Sequence, residues 1–271
     1  MKNEKRVRRK KWNMYLVIGM LMTGITLAIA IIGAFWTPYE ATAMSASEKF
    51  ASPSLYHLFG TDNFGRDIFS RVMEAVGTTM VISVLVVFAS SLVGVVIGAW
   101  TGYFGGLADE IIMRITDAVN GFPSILLALV VISVLGTGVD RLILALAIVF
   151  CPSFIRIVRS EFIKYRDADF IVRARLMGVT KGRILFVHIL PNMFSTFLVS
   201  LMIGFNNVIL AESGMSFLGI GVQPPEASLG KMLSDAQGYL ETAPWYALAP
   251  GLTIVWIVLG LSLLSEGIRR L

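Results

Sequence analysis

The sequence is short of charge. Only 15% of its 271 residues are Asp, Glu, Lys or Arg, whereas 56% are hydrophobic. Soluble domains carry about 25% charged residues. A single soluble core does not use so much apolar surface, so the composition favours a protein whose main solvent is the lipid bilayer. The net charge of +5 raises the question of nucleic acid, but the basic residues are confined to particular loops, and no nucleic-acid partner is predicted.

Residues that build metal and disulfide sites are also scarce. Cys151 is the single cysteine and lies in an apolar run, which excludes a disulfide within the chain and a cysteine-based metal site. It is interpreted as a small buried hydrophobe. The two histidines, His57 and His188, are far apart, and the topology predicted below puts them on opposite sides of the membrane. No metal site and no cofactor site are expected in this chain.

Sequence features of an energy source are missing as well. The only Gly-Lys pair is Gly230-Lys231, followed by Met232, so the chain has no P-loop for nucleotide phosphates. No charged residue lies in the middle of a predicted span, where ion-coupled transporters usually keep one. If the protein is a pump, its energy is expected to come from a partner, and no enzymatic activity is predicted.

Long apolar runs dominate the sequence. Crossing about 30 Å of hydrocarbon takes roughly 20 residues. Six runs are candidates for spans: 14–36, 75–100, 118–139, 142–155, 189–211 and 242–265. The fourth, 142–155, approaches the required length only when it is extended to residue 158. The predicted fold class is therefore all-α, a polytopic membrane protein with six transmembrane helices. A signal peptide is the alternative for the first run, but its 23 residues exceed the usual 7–15, which favours an uncleaved anchor.

The distribution of basic residues predicts the orientation. With the amino terminus inside, the cytoplasmic segments are 1–13, 101–117, 156–188 and 266–271, and they hold 18 of the 23 Lys and Arg residues. The outer segments are 37–74, 140–141 and 212–241, and they hold the remaining five. Because positive residues favour the cytoplasmic side, both termini are predicted to be cytoplasmic.

Four glycines recur every four residues near the end of the second span: Gly94, Gly98, Gly102 and Gly106. This spacing lets two helix backbones approach closely inside a membrane. The pattern predicts helix packing, either as a moving seam or as static packing.

Residues 156–188 form the largest predicted cytoplasmic segment between spans. Asp167 or Asp169 is predicted to cap a short helix over 170–177, and Gly178 to end it in the left-handed conformation. A second helical stretch is predicted over 181–191. The segment is either a basic loop that obeys the positive-inside rule or a knob that docks on a soluble partner.

The same segment resembles the motif E-A-A-x-x-x-G-x9-I-x-L-P of permease subunits of binding-protein-dependent ABC importers. Gly178 takes the position of the glycine, and Leu190-Pro191 lies at the required distance. The first three motif positions fall on Val172, Arg173 and Ala174, of which only Ala174 matches, and His188 stands in place of the isoleucine. The missing glutamate removes any salt bridge that it makes in the family.

Two further stretches carry the resemblance to the dipeptide, oligopeptide and nickel importer permeases, in the order of their C-type subunit. FGTDNFGRDIFSR, residues 59–71, is similar to L-G-T-D-x-x-G-R-D-x-x-S-R, and SFLGIGVQPPEASLGKML, residues 216–233, is similar to S-F-L-G-x-G-x-Q-P-P-x-x-x-W-G-x-M-L. The matched positions of the first stretch include Gly60, Thr61, Asp62, Gly65, Arg66, Asp67, Ser70 and Arg71.

The resemblance implies a type I ABC importer permease fold, with an anchor at 14–36, an extracellular segment at 37–74 and a five-helix transmembrane domain at 75–271. It implies a bacterial inner-membrane location, a sibling permease, two cytoplasmic ATPases that bind ATP and Mg²⁺, and an extracellular binding protein. The expected solutes are di- or oligopeptides, with nickel complexes as the alternative. An ion-coupled carrier and a membrane scaffold without transport activity are the alternatives from other classes.

Roles are expected for three groups of residues. Arg173 and Arg175 are expected to contact acidic groups on the ATPase, with lipid phosphates as the alternative. Asp62, Arg66 and Asp67 are expected to form an ion-paired turn within the outer segment, with contact to the binding protein as the alternative. The corner at residues 223–225, in the outer segment 212–241, is the other predicted contact with the binding protein.

Overall fold

Ten α-helices form the part of the chain that the structure, a computed structural model, describes: residues 13–270. They are α1 Met14–Phe35, α2 Ile68–Phe104, α3 Leu107–Asn120, α4 Ser124–Leu135, α5 Val139–Arg166, α6 Asp169–Leu176, α7 Lys181–Arg183, α8 Leu190–Phe217, α9 Leu229–Ala236 and α10 Pro244–Arg269. A π-helix, Ile184–Ile189, joins α7 to α8. Within the described residues, β pairing is limited to an isolated bridge between Thr61 and Asp67. The all-α prediction is confirmed; most of the basic segment 1–13 lies outside the described residues.

Within residues 13–270, five helical stretches are long and apolar enough to span a membrane: α1, α2, α5, the stretch from α7 through α8, and α10. The sixth candidate is the pair α3 and α4, which meet at an angle of 97°. The predicted third span, 118–139, is therefore wrong as a single straight helix. Its first residues belong to α3, and Pro123 precedes the first residue of α4. Proline disfavours helical geometry at the residue before it, so the helix breaks at 121–123.

Other helix boundaries differ from the predicted ones as well, as two helices illustrate. α2 begins at Ile68, seven residues before the predicted span, and its 37 residues extend over about 55 Å. α8 continues to Phe217, six residues past the predicted end. Apolar runs mark the part of a helix that lies in hydrocarbon, whereas the helix itself continues wherever its polar residues find partners.

The long helix α2 lies at the centre of the packing. One apolar cluster joins it to α4, α5 and α8, and a second joins it to α9 and α10. A third cluster connects α5 to α6 and to the π-helix. α1 packs against α10, where Gly267 lies against the backbone of Leu16. This packing fits a first helix that stays part of the protein; its role as an uncleaved anchor remains a prediction.

Candidate functional site

The corner after α6 has the geometry of a Schellman motif. The amide of Gly178 donates to the carbonyl oxygen of Arg175, and the amide of Val179 donates to that of Ala174, both at 3.1 Å. Gly178 has φ +79°, and a Cβ atom at this position would meet no other atom within 4 Å. Glycine is therefore required here for its backbone conformation and not for lack of space.

The two faces of α6 have different surroundings. Ile171 belongs to the buried cluster that includes Phe162 and Ile184, and Ala174 is buried as well. The other face and the end of the helix are exposed, with Leu176 at 82% and Met177 at 78%. Val172, Arg173 and Arg175 are exposed as well. We call the set of Val172, Arg173, Arg175, Leu176 and Met177 the coupling face. It combines apolar and basic groups on a helix whose other face is fixed to the spans.

The start of α6 differs from the predicted one. The N-cap residue is Ala168, which has no side-chain capping bond, so neither predicted aspartate caps the helix. Asp169 lies in the first turn, where a carboxylate favours the helix dipole. Asp167 instead forms an ion pair with Arg166, with the guanidinium Nη2 and the carboxylate Oδ2 3.2 Å apart.

The remaining residues of the glycine motif lie where the π-helix joins α8. Leu190 and Pro191 are the first two residues of α8, and His188, in the π-helix, is half-buried. The carbonyl oxygen of His188 accepts a bond from the Asn192 side chain at 2.6 Å. Proline has no amide hydrogen and its ring crowds the carbonyl four residues earlier, which explains why the preceding turn is wider than an α-helix.

The motif at residues 59–71, in the predicted outer segment 37–74, is organised around a buried aspartate. Asp62 has no exposed surface. Its Oδ1 accepts bonds from the amides of Phe64 and Arg66 at 2.8 and 2.9 Å, and its Oδ2 accepts one from Nε of Arg66 at 2.6 Å. The guanidinium Nε of Arg71 lies 3.9 Å from the same Oδ2. The predicted ion pair of Asp62 with Arg66 is present and has Arg71 as a further member, whereas the partners of Asp67 are His57 and Ser70.

Asp67 connects this turn to the first residues of α2. Its Oδ2 accepts bonds from the amide and the hydroxyl of Ser70, both at 2.7 Å, which caps the helix. Its Oδ1 lies 2.9 Å from Nδ1 of His57. The Ser70 hydroxyl accepts a bond from the amide of Tyr39 at 3.1 Å. The carboxylate of Asp67 thus fixes the outer segment to the beginning of a spanning helix.

The small residues of the motif make close contacts with other parts of the outer segment. The Thr61 hydroxyl donates to the carbonyl oxygen of Glu48 and accepts a bond from the amide of Ala51. Gly60 and Gly65 have positive φ and lie against the backbone of Ala51 and Ser45, respectively. The motif residues therefore fold the outer segment onto itself.

The predicted glycine row divides in two. Gly94, Gly98 and Gly102 lie on α2 against α5, and a Cβ atom at Gly98 or Gly102 would come within 2.7 Å of a carbonyl oxygen of that helix. Gly106 does not take part, since it lies beyond the end of α2 with φ +83° and no atom within 4 Å of a Cβ. The prediction for Gly106 is wrong because α2 ends at Phe104, and Gly106 instead caps α3.

Replacing Gly98 by Leu is expected to destabilise the protein by about 1–3 kcal/mol or more, because the side chain must displace the backbone of α5. The thermal unfolding midpoint of the detergent-purified protein measures the effect. Gly24→Leu is the matched control, since Gly24 also lies in a spanning helix but has open space around it. Equal midpoints for the two variants would show that the contact between α2 and α5 does not need glycine.

Glu212 lies in a different element from the predicted one. It was assigned to the outer segment 212–241, but it lies inside α8 with no exposed surface. Its carboxylate accepts bonds from the hydroxyls of Thr79 on α2 and Ser216, at 3.1 and 2.8 Å. The Ser216 hydroxyl in turn accepts a bond from the amide of Val222 at 3.1 Å. This network holds the turn after α8 against α2.

Three features of the site were missed by sequence reasoning. They are the contact of His57 with Asp67, the Glu212 network, and the bidentate pair of Arg159 with Asp109 at 2.5 and 2.7 Å. The sequence offered a signal for the Glu212 network, since Glu212 directly follows the apolar run 189–211 and precedes the serines at 213 and 216. The other two join residues without a periodic relation in the sequence.

The comparisons with known proteins assign the chain to a class. Residues 94–271 match the family "binding-protein-dependent transport system inner membrane component", and the chain belongs to this family. It is a multi-pass inner-membrane transport permease.

Several curated relatives match nearly the whole chain. It is 37% identical over 262 residues to the dipeptide transport system permease protein DppC of Alkalihalophilus pseudofirmus, covering 97% of this chain and 86% of the relative. It is 33% identical to DppC of Haemophilus influenzae, covering 96% and 90%, respectively. The glutathione transport system permease protein GsiD of Pectobacterium atrosepticum is 35% identical, covering 96% and 89%.

Proposed function

We propose that this chain is one of two sibling permeases of an ATP-driven importer of di- and oligopeptides. The observation that carries the proposal is the coupling face, an exposed apolar and basic surface on a helix that Ile171 fixes to the spans. Such a surface suits docking on a soluble protein and can pass the motion of that protein to the membrane helices. The names of the relatives favour peptides over nickel complexes as the solute.

The partners and the cycle follow from this assignment. Two cytoplasmic ATPases bind ATP and Mg²⁺ and close on each other, and the helix α6 moves with the ATPase on which it docks. The movement rocks the spans between inward-open and outward-open states, while an extracellular binding protein delivers the peptide. Both termini of the chain lie in the cytoplasm, as the excess of basic residues in the inner segments supports. The partner ATPases, and not this chain, hydrolyse ATP.

Purification of the tagged chain from its own membranes in mild detergent, followed by mass spectrometry, tests the assembly. We expect a second permease and one or two ATPases to co-purify. Recovery of the chain alone in several detergents would contradict the proposal and favour a stand-alone carrier. Uptake of a labelled dipeptide and of nickel by cells with and without the chain then distinguishes the two solutes.

Charge reversal on the coupling face is expected to weaken binding of the ATPase. The double variant Arg173→Glu, Arg175→Glu should reduce the co-purifying ATPase by at least about tenfold, because like charges opposed across an interface cost several kcal/mol and about 1.4 kcal/mol already lowers affinity tenfold. Arg183→Glu is the matched control, since Arg183 is also exposed in the basic segment but lies outside α6. Equal recovery of the ATPase with wild type and both variants would leave lipid phosphates as the partners of Arg173 and Arg175.

A further inference from the structure

A cavity of about 430 Å³ lies where the break between α3 and α4 meets α5 and α8. Four uncharged polar side chains are among those that line it: Asn120, Ser124, Ser153 and Asn207. None of the described residues that line it is charged. We call it the polar cavity.

The position of these side chains within the helices is unusual. Ser153 lies near the middle of α5, and Asn207 lies ten residues before the end of α8, so both are far from helix ends. Both side chains are exposed, as are Asn120 and Ser124. A carboxamide that faces hydrocarbon has no hydrogen-bond partner and costs several kcal/mol. These groups are therefore expected to face water or a polar solute.

The two neighbouring asparagines of α8 differ in their contacts. Nδ2 of Asn206 donates to the hydroxyl of Ser262 on α10 at 2.9 Å, which joins two spans. Asn207 makes no side-chain hydrogen bond to the residues that the structure describes, and it points into the polar cavity. Across the cavity, the Ser153 hydroxyl donates to Oδ1 of Asn120 at 3.4 Å. The amide nitrogen of Asn120 and the whole carboxamide of Asn207 can thus bind a solute.

Two ion pairs fix this wall of the cavity. Arg156 on α5 binds Asp117 on α3 at 2.7 Å, and Arg159 binds Asp109 at 2.5 Å. The two pairs hold α3 against α5. They involve residues that precede Asn120 on α3 and residues that follow Ser153 on α5. Because each charge has a partner, they stiffen the wall without giving the cavity a net charge.

We propose that the polar cavity is this chain's part of the solute path and that Asn120 and Asn207 bind the amide backbone of the passing peptide. A carboxamide has two donors and an acceptor, which match the carbonyl and amide groups of a peptide whatever its side chains are. The volume is within the 300–1,000 Å³ range of small-molecule sites. The inference rests on the proposed function, which supplies the peptide, and adds the residues that contact it.

Cysteine accessibility in the complete transporter tests the proposal. In a Cys151→Ala background, Ser153→Cys and Asn207→Cys are treated in membranes with a hydrophilic methanethiosulfonate reagent. Val255→Cys is the matched control, since Val255 is exposed in the middle of α10 but does not line the polar cavity. We expect modification at 153 and 207 to be at least about tenfold faster than at 255, because the reactive thiolate forms in water and not in lipid. Adding binding protein that is loaded with dipeptide should slow the modification at 153 and 207.

Substitution of the carboxamide supplies a second readout. Asn207→Leu is expected to reduce dipeptide import, whereas Asn207→Gln, which keeps the carboxamide, should retain most of it. The amount of co-purifying ATPase shows whether each variant still assembles. Equal import by the two variants would contradict a binding role for the Asn207 amide.

The outcomes separate this inference from the proposed function. Modification at 153 and 207 as slow as at 255 would overturn the inference. So would modification that dipeptide does not slow while the unsubstituted transporter imports dipeptide. If the unsubstituted transporter imports no dipeptide, the proposed function fails by itself, and the modification rates still decide whether the cavity belongs to an aqueous path.

Discussion

Replacing Gly178 by Val is expected to reduce ATP-driven import by about tenfold or more, because a side chain in left-handed conformation costs about 1–2 kcal/mol and a β-branched one more. The strain is relieved only when the corner opens and α6 changes direction. The hydrogen bonds that Gly178 and Val179 donate back to α6 then break. The docked ATPase would still bind and hydrolyse nucleotide, but its motion would reach the spans less completely. Import and ATPase activity of the same membranes, compared with wild type, measure this loss of coupling.

Two matched variants separate conformation from side-chain bulk. Gly182→Val places the same side chain in α7, where a Cβ also meets no atom within 4 Å but φ is not positive. Its import is expected to stay near the wild-type level. Gly178→Asn should fall between wild type and Gly178→Val, because asparagine tolerates the left-handed region better than other side chains. Import by Gly178→Val at the wild-type level would show that the corner does not transmit motion.

The sequence predicts the corner well because its signals are local. A glycine directly after a short helix typically ends that helix in the left-handed conformation, and Gly178 has φ +79° in the structure. The capping residue is not predicted, since either Asp167 or Asp169 fits the pattern. In the structure the N-cap residue is Ala168, and the side chain of Asp167 forms an ion pair with Arg166 instead of capping the helix. Such a choice between neighbouring carboxylates depends on side-chain partners that a pattern does not contain.

The spans are predictable from apolar length, but their boundaries and bends are not. α8 continues through Glu212 because hydroxyls on two helices satisfy the carboxylate, and the partner Thr79 is 133 residues away. The break before α4 has a local signal in Pro123, but an uncharged run across it reads as one span. The polar cavity is also beyond prediction, since Asn120, Ser153 and Asn207 come together only in the folded chain.

Removal of the Asp62 carboxylate is expected to have the largest effect on stability. Asp62→Ala leaves the amides of Phe64 and Arg66 without their acceptor and leaves two guanidinium groups, of Arg66 and Arg71, without a counter-charge. Arg71 is only 3% exposed. Removing one partner of a buried ion pair typically costs about 3–5 kcal/mol, and most of this is the uncompensated charge that stays behind.

The variants of Asp62 also separate the role within the protein from contact with a partner. The unfolding midpoint of the purified protein should fall for Asp62→Ala, and Asp62→Asn should lie between it and wild type, since an amide oxygen still accepts bonds but carries no charge. Glu40→Ala is the control, because Glu40 is an exposed carboxylate of the same outer segment whose contact is with the hydroxyl of Thr42. It should leave the midpoint unchanged. Because the charges of the turn satisfy one another inside the outer segment, the effect must be present without any binding protein. If Asp62→Ala melts like wild type but fails to bind the binding protein, the carboxylate acts in docking, and the structural role of the turn is wrong.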